Sequence, residues 1–264
     1  MNSELLYEGK AKQIYATEDP DVVVVHYKDD ASAYNGIKRA QITNKGILNN
    51  KISSIIYAKL ADAGIKTHFI QRLDDRNQLC RKVDVIPIEF IVRNYAAGSM
   101  ARRLGIEEGT KLPTTIFECC YKNEELDDPI INEHHAVSLG LSTYEEMAEV
   151  HKIVDKINQL LIPLFASLNV ILVDFKTEFG RLGDGTLVLS DELSPDTCRL
   201  WDVETQDSLD KDRFRRDLGR VGEAYQEILN RLMKLSNKYK KTGRQEITFN
   251  DIIFNANGHQ FTIN

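Results

Sequence analysis

Apolar residues change period several times along the chain, and each change marks an element. Leu6 to Tyr15 is strand-like around a bend at Gly9-Lys10-Ala11-Lys12, and Val22 to Tyr27 is a continuous β-branched run that predicts a second strand. Leu48, Ile52, Ile55, Ile56 and Leu60 then recur at helical spacing, with Gly64 as the stop signal. Two more strands are predicted, over residues 67–73 and 79–83, across the turn Asp74-Asp75-Arg76-Asn77. Pro87 interrupts the chain after Asp84-Val85-Ile86, and a lobe boundary is placed there. Residues 1–84 then form a small sheet with one covering helix, and residues 85–264 form a second lobe.

The second lobe opens with a strand at Ile88 to Arg93, the turn Ala96-Ala97-Gly98-Ser99 and a short helix. Residues 110–140 show no clear period and predict a long ordered loop or short pieces. Ser142-Thr143-Tyr144-Glu145 reads as a capping box that opens a helix to about Leu168, with Pro163 expected to kink it or end it early. A last helix from about Lys211 to Tyr239 carries the stripe Phe214, Leu218, Val221, Tyr225, Ile228 and Leu232. Between these two helices, Val173 to Gly180 and Leu187 to Glu192 flank Gly183-Asp184-Gly185 and predict a hairpin. Strand-like pieces at Ile247–Phe249 and Ile252–Phe254 close an α+β chain without internal repeats.

That hairpin introduces chemistry. An Asp-Gly pair between strands favours a two-residue type I′ turn. With Asp184 and Gly185 in the turn, Glu178 and Asp191 fall directly opposite one another on one face. Like charges so placed destabilise a sheet. A hard divalent cation reverses the sign, because carboxylate oxygens suit Mg²⁺ and substrate phosphates complete such a site. Lys176 and Asp174 continue the same face at period two. The alternatives are a solvated hairpin, or a bulge that moves the carboxylates to diagonal positions.

Composition narrows the ligands. With 42% hydrophobic and 28% charged residues, the 264-residue chain is globular. A net charge of -6 without a basic block argues against nucleic acid as a partner, so anionic ligands must meet local Lys and Arg clusters. Four cysteines without metal-ligand spacing predict reduced thiols in a cytoplasmic protein. No signal peptide and no run of 18 apolar residues is present, so no membrane partner is expected. Lys10 and Lys12 alternate beside Gly9, which suits either a strand over nucleotide phosphates or a solvated face, and Lys82 has the same standing. Arg93 offers a planar fork for phosphate or carboxylate, and Ser99 lies at a helix start. Equally, Ser99 caps that helix and Arg93 pairs with an acid such as Glu89. Asp196 and Arg199 follow the hairpin in Ser194-Pro195-Asp196-Thr197-Cys198-Arg199, as a substrate turn or a surface ion pair. His134 and His135 have no partner at ligand spacing, and no arrangement for a covalent protein nucleophile is present.

Taken in order, Leu6-Tyr7-Glu8-Gly9-Lys10-Ala11-Lys12, the run from Ile86-Pro87-Ile88 through Gly98-Ser99, and Val173-Asp174-Phe175-Lys176-Thr177-Glu178 resemble the SAICAR synthetase family of purine biosynthesis. Asp191-Glu192-Leu193-Ser194-Pro195-Asp196, Arg199-Leu200-Trp201-Asp202 and the run from Asp210 to Arg215 extend the resemblance, which covers residues 5–235. The resemblance implies a two-lobed α+β fold related to ATP-grasp and kinase-like architectures, with ATP between the lobes. It implies a ligase that joins L-aspartate to carboxyaminoimidazole ribonucleotide (CAIR), giving SAICAR, ADP and phosphate through an acyl phosphate. Glu178 and Asp191 would hold Mg²⁺, and Lys10 and Lys12 would contact the ATP phosphates, with the adenine received by the backbone between Lys82 and Val85. Arg93, Ser99 and Arg199 would bind the ribonucleotide phosphate, and Asp174, Lys176 and Asp196 would surround the imidazole carboxylate. Lys122 and Asp128 match a loop that closes the substrate side, and a homodimer is expected. Asn35 stands where some relatives carry Asp, and the tail beyond about Lys240 exceeds the compact pattern. A small-molecule kinase and a catalytically silent nucleotide-binding module are the rival readings.

Overall fold

The computed structural model describes residues 4–34 and 36–241, with side chains to residue 235. Asn35 and the strand-like pieces after residue 245 lie outside the described residues. The antiparallel strands β1 (Leu5–Glu8), β2 (Lys12–Ala16) and β3 (Val22–Tyr27) form a meander. A ribbon of β4 (Asp30–Ala33) and β5 (Lys38–Gln41) follows, then helix α1 (Lys45–Asp62) and the strands β6 (Phe69–Arg72) and β7 (Asn77–Arg81). Pairing of β7 with β3 gives the sheet order β1-β2-β3-β7-β6.

A two-residue strand β8 (Asp84–Val85) leads to β9 (Ile88–Tyr95), helix α2 (Gly98–Leu104) and the long strand β10 (Lys111–Tyr121). Next come β11 (Ile130–Ile131), α3 (Glu133–Ser138), α4 (Tyr144–Ala166), β12 (Val170–Thr177), β13 (Phe179–Arg181) and β14 (Leu187–Leu189). The chain then forms β15 (Cys198–Asp202), α5 (Asp212–Arg215) and α6 (Val221–Lys241). A second five-stranded antiparallel sheet has the order β11-β10-β9-β12-β15, and a small third sheet the order β14-β13-β8. This is an α+β fold, with helices packed against antiparallel sheets.

One large core joins these layers. Met147, Val150, Val154, Ile157, Leu161 and Phe165 recur on the buried face of α4 and meet Val92, Phe175 and Leu200 of the second sheet. From α1, Ile52, Ile56 and Leu60 enter the same core, as do Tyr225, Ile228 and Leu232 of α6. Each fully buried side chain of this size is worth roughly 1.5–3 kcal/mol of burial. Helix α1 is buried on more than its apolar face: Lys45, Asn49, Asn50, Ser53 and Ser54 are also covered. Its N-terminus borrows a cap, because Asp29 accepts from the backbone N–H groups of Asn44 (3.2 Å) and Gly46 (3.0 Å) while Arg76 grips both Asp29 oxygens. Gly46 is required there, since a Cβ would lie 2.4 Å from the Tyr27 carbonyl oxygen.

Four expectations need correction. Residues 110–140 hold the eleven-residue strand β10, together with a 3₁₀ turn, β11 and α3. Most of β10 is half-buried on both faces between β9 and β11, so no alternation shows in its sequence. The capping box at α4 is Thr143 with Glu146, one residue later than read: Thr143 Oγ1 accepts from Glu146 N and Glu146 Oε2 from Thr143 N. Pro163 does not end α4 early, since it lies in the last turn and helical structure continues to Ala166. The last helix is two pieces, broken where Asp217, Gly219 and Arg220 take positive φ, and this leaves Leu218 exposed.

Candidate active site

The hairpin register differs from expectation by one residue. Phe179 pairs with Leu189, Gly180 with Val188 and Arg181 with Leu187. The loop is Gly183-Asp184-Gly185, closed by Gly185 N donating to Leu182 O at 2.8 Å, and Gly185 takes the left-handed position at φ 80°. Ser190, not Asp191, therefore faces Glu178, and its N–H donates to the Glu178 carbonyl at 2.9 Å. Glu178 follows the end of β12 and Asp191 lies beyond β14, so both leave the regular ladder. Their carboxylates still converge, on one ammonium.

That ammonium is Lys176 Nζ, which lies 3.0 Å from Glu178 Oε1, 3.4 Å from Asp191 Oδ2 and 2.9 Å from Glu89 Oε1. Lys122 Nζ takes the other Glu178 oxygen at 2.6 Å. Lys12 Nζ, brought in by β2, bridges Asp191 Oδ1 and Glu192 Oε2 at 2.5 Å each. The cluster holds four carboxylates and three ammoniums, one negative charge in excess. Burial acts to raise the pKa of Asp191, but Lys12 and Lys176 outweigh it and hold the group well below the usual carboxylate range. Glu178 is lowered too, against its burial, chiefly by Lys176. Lys12 and Lys176 are themselves raised well above the usual lysine value, because their acids outweigh desolvation. Both carboxylates are thus ionised hard-oxygen donors. Among the described residues no group of three or more His, Cys, Asp or Glu could hold a metal. A pair completed by phosphates fits Mg²⁺, which binds through one or two carboxylates, better than an ion needing an all-protein cage.

Two residues back along β12, Asp174 belongs to a different network. Its Oδ2 accepts from Arg93 Nη1 at 2.9 Å and from Arg199 Nη1 at 2.7 Å. Arg93 also donates from Nε and Nη2 to Glu118 Oε2, at 3.1 and 2.9 Å, and Arg103 takes Oε1 of the same carboxylate. Arg199 Nε reaches Asp212 Oδ2 at 2.8 Å, and Arg215 Nη1 reaches Asp212 Oδ1 at 2.5 Å. Against burial, Arg199 and Arg215 hold the Asp212 pKa at about 2. With Arg216, which lies 3.9 Å from Asp212 and also holds Glu108, this ladder has five guanidiniums and four carboxylates, one positive charge in excess. Gly98 lets it close up: a Cβ there would lie 2.5 Å from Arg199 Nη2, and its φ is 57°. The acid that pairs with Arg93 is therefore not Glu89, which serves Lys176.

Other expected residues take varied places. Asp196 is buried, with Oδ2 2.5 Å from Lys45 Nζ and Oδ1 accepting from Tyr225 OH at 2.6 Å. Lys10 is exposed and pairs with Glu124 at 2.8 Å. Ser99 is an exposed residue inside α2, and the position before that helix is Ala97, so Ser99 is not its cap. Asp128 turns its Oδ1 to the Asn123 N–H at 2.8 Å, next to Lys122. Lys82 and Val85 are exposed at the junction between the first and third sheets. Sequence reasoning passed over Glu192, Glu118, Asp212 and Lys45, and gave Glu89 the wrong partner. Glu89, Glu192 and Asp212 stand within the quoted motifs, and that was the available signal.

Paired sites of opposite charge excess on an α+β frame define an enzyme class that handles anionic substrates. The SAICAR synthetase family model matches residues 5–232. Over 231 residues the chain is 61% identical to the phosphoribosylaminoimidazole-succinocarboxamide synthase of Clostridium botulinum (strain Alaska E43 / Type E3), covering 88% of this chain and 98% of that protein. The same enzyme of Fusobacterium nucleatum is 58% identical, covering 87% and 97%. The crystal structure of the Ehrlichia chaffeensis enzyme superposes with a TM-score of 0.85 at 49% identity, covering 87% of this chain and 98% of that one. A SAICAR synthetase in complex with ADP gives 0.84 at 46% identity, covering 87% and 97%. The chain belongs to the SAICAR synthetase family. Its activity is that family's ATP-dependent carbon–nitrogen ligation in purine biosynthesis, joining L-aspartate to CAIR.

Proposed function

We propose that the lysine–carboxylate cluster receives the phosphates of ATP together with Mg²⁺, and that the arginine ladder receives the ribonucleotide phosphate of CAIR. The observation that carries this reading is the opposite charge excess of two networks joined through β12. Asp174 belongs to one and Lys176 to the other, about 7 Å apart along the strand. A patch one negative charge in excess takes up a cation, and its lysines then turn to phosphate oxygens. A patch one positive charge in excess takes up an anion, and arginine forks match phosphate.

Glu178 and Asp191 would hold Mg²⁺, whose chemistry when bound is neutralisation of charge across the phosphate oxygens. Lys12, with Lys10 at the rim, would contact those phosphates, and the backbone from Lys82 to Val85 would receive the adenine. Arg93, Arg199 and Ser99 would hold the ribonucleotide phosphate, with Asp174, Lys176 and Asp196 around the imidazole carboxylate. Lys122 and Asp128 would close the substrate side. An amine cannot displace oxide from a carboxylate, so the CAIR carboxylate oxygen first attacks the γ-phosphorus and ADP leaves. The aspartate amine then attacks the carbonyl carbon of the acyl phosphate, loses a proton, and phosphate departs. This needs no protein nucleophile. Lys176, between the two networks, offsets charge on the transferring group, and alignment of the substrates can supply on the order of 7–11 kcal/mol of the barrier.

The lobes proposed are residues 1–84 and 85–264. All strands of the first sheet precede the boundary and all strands of the second follow it, with α1 packed into the larger core. A homodimer in the cytoplasm is part of the same proposal, and no helix among the described residues is long and apolar enough to cross a membrane. Sedimentation of the purified chain tests the dimer. For the reaction, ATP, Mg²⁺ and CAIR are incubated with the protein and ADP release is followed with and without aspartate. Release should require aspartate. Release indifferent to aspartate would favour a kinase, and ATP binding without turnover a silent module.

A further inference from the structure

Lys211 stands out in the cation inventory of the site. Lys12, Lys45, Lys122, Lys176, Arg93 and Arg199 each hold a carboxylate at 3.1 Å or closer. Lys211 is half-buried, and among the described residues its ammonium makes no hydrogen bond or ion pair. Its backbone is fixed: the N–H donates to the Pro195 carbonyl at 3.0 Å, and its own carbonyl accepts from Phe214 N and Arg215 N at 3.0 Å. The charges that act on it are Asp196, Arg215, Lys45 and Lys176, so it feels both the arginine ladder and the lysine cluster, and its backbone bond to Pro195 sets it beside Asp196. Asp196 attracts it through space but makes no hydrogen bond or ion pair with it, and the Asp196 oxygens accept from Lys45 and Tyr225 instead. Burial lowers the Lys211 pKa, and the neighbouring cations add to that. A half-buried ammonium that has no direct partner among the described residues, acted on by three other cations, is arranged for an incoming anion.

The reaction presents four kinds of anion: the ATP phosphates, the ribonucleotide phosphate, the imidazole carboxylate and the carboxylates of aspartate. The first three have cations in the reading above, and the last have none. A lone ammonium is a point charge that suits a monoanionic carboxylate, whereas phosphate recognition here falls to guanidinium forks. We infer that Lys211 receives a carboxylate of the amino-acid co-substrate and so fixes the amine beside the activated imidazole carboxylate. This rests on the ligase reading.

Steady-state kinetics of Lys211→Met and Lys211→Arg test it. Loss of one charge-assisted bond raises the KM for aspartate about 10- to 100-fold in Lys211→Met, with the KM values for ATP and CAIR within about twofold and kcat at saturating aspartate largely kept. Lys211→Arg keeps the charge and should recover most of the aspartate affinity. A KM shift confined to CAIR or ATP, or no shift at all, overturns the assignment. Should Lys211→Met fail to fold, amine labelling of the wild-type chain followed by mass spectrometry decides. Succinate, a dicarboxylate without an amine, should slow labelling of Lys211 but not of Lys66 when ATP and CAIR are present, and equal labelling overturns the assignment. Absence of aspartate-dependent ADP release by the wild type is a separate result, which removes the ligase reading itself.

Discussion

The two charged networks on either side of β12 use different cations, and the difference follows from what each must do. In the lysine cluster, Lys12, Lys122 and Lys176 are point charges on flexible stems, each touching carboxylates without a fixed fork. Such contacts can be exchanged: in the proposed function Glu178 and Asp191 would turn to the metal, and the ammoniums would be freed for phosphate. In the ladder, Arg93 and Arg199 each donate through different nitrogens to two acids, which locks the guanidinium planes before any ligand arrives. One network is built to be rearranged and the other to stay. Cancelling the excess of each should therefore have different consequences.

The largest effect is expected on the exchangeable side. Glu178→Gln keeps the shape of the side chain but can accept from only one of Lys122 and Lys176, and it removes one hard anionic donor. The kcat/KM should fall on the order of 10³-fold, about 4 kcal/mol of transition-state stabilisation, while the melting temperature stays within a few degrees. Magnesium titration of the residual activity should show a weaker apparent affinity. Wild-type activity in this variant would mean that the cluster is a structural ion network and that the comparison between the two networks has no functional content.

A smaller effect, on the fixed side, separates the two kinds of cation directly. Arg199→Lys preserves charge but loses the fork that spans Asp174 and Asp212. The KM for CAIR should rise about 10- to 100-fold with the KM for ATP nearly unchanged, as expected when a bidentate contact becomes a single one. Lys122→Arg, the reverse exchange in the cluster, should change either KM by no more than about fivefold, because Lys122 contributes charge without a fixed plane. Equal losses in both variants would break the distinction.

Much of this site was legible in the sequence, and what was missed has a physical pattern. Glu178, Asp191 and Lys176 were readable because a glycine-rich turn and strand alternation limit which side chains can meet. Their register was not, since Gly183-Asp184-Gly185 suits a two- or three-residue loop and the choice moves every pair by one. Strands β3, β6 and β7 and helix α1 were legible from period alone, whereas Leu6 to Tyr15, read as one bent strand, is the antiparallel pair β1 and β2. Strand β10 was not, because both of its faces are half-covered and alternation disappears. The least legible pairings were those between distant segments: Glu118 with Arg93 across β9 and β10, and Lys45 of α1 with Asp196 after the hairpin. Nothing local marks Lys45 as a buried charge, and its face of α1 is polar at Asn49 and Ser53 as well.

The finest test of the comparison lies beneath the ladder, at Asp210. This fully buried carboxyl accepts from the N–H groups of Leu200 and Asp212, at 2.7 Å each. Burial, with the Asp212 charge second, pushes its pKa up to about 7. An unfolded chain releases that proton near 3.9, so the folded state holds more protons between about pH 4 and 7, and this contribution to stability declines as pH rises through that window. Asp210→Asn cannot titrate. The stability of wild type relative to this variant, from urea unfolding at pH 5 and pH 8, should therefore be greater at pH 5. Ionisation of Asp210 also cancels the ladder's single excess positive charge. Above pH 7 the wild type should bind CAIR two- to fivefold more weakly than Asp210→Asn relative to their ratio at pH 6, a loss of at most about 1 kcal/mol. A stability difference that does not vary with pH would show Asp210 ionised throughout, leaving the ladder without the charge excess on which the proposed phosphate capture rests.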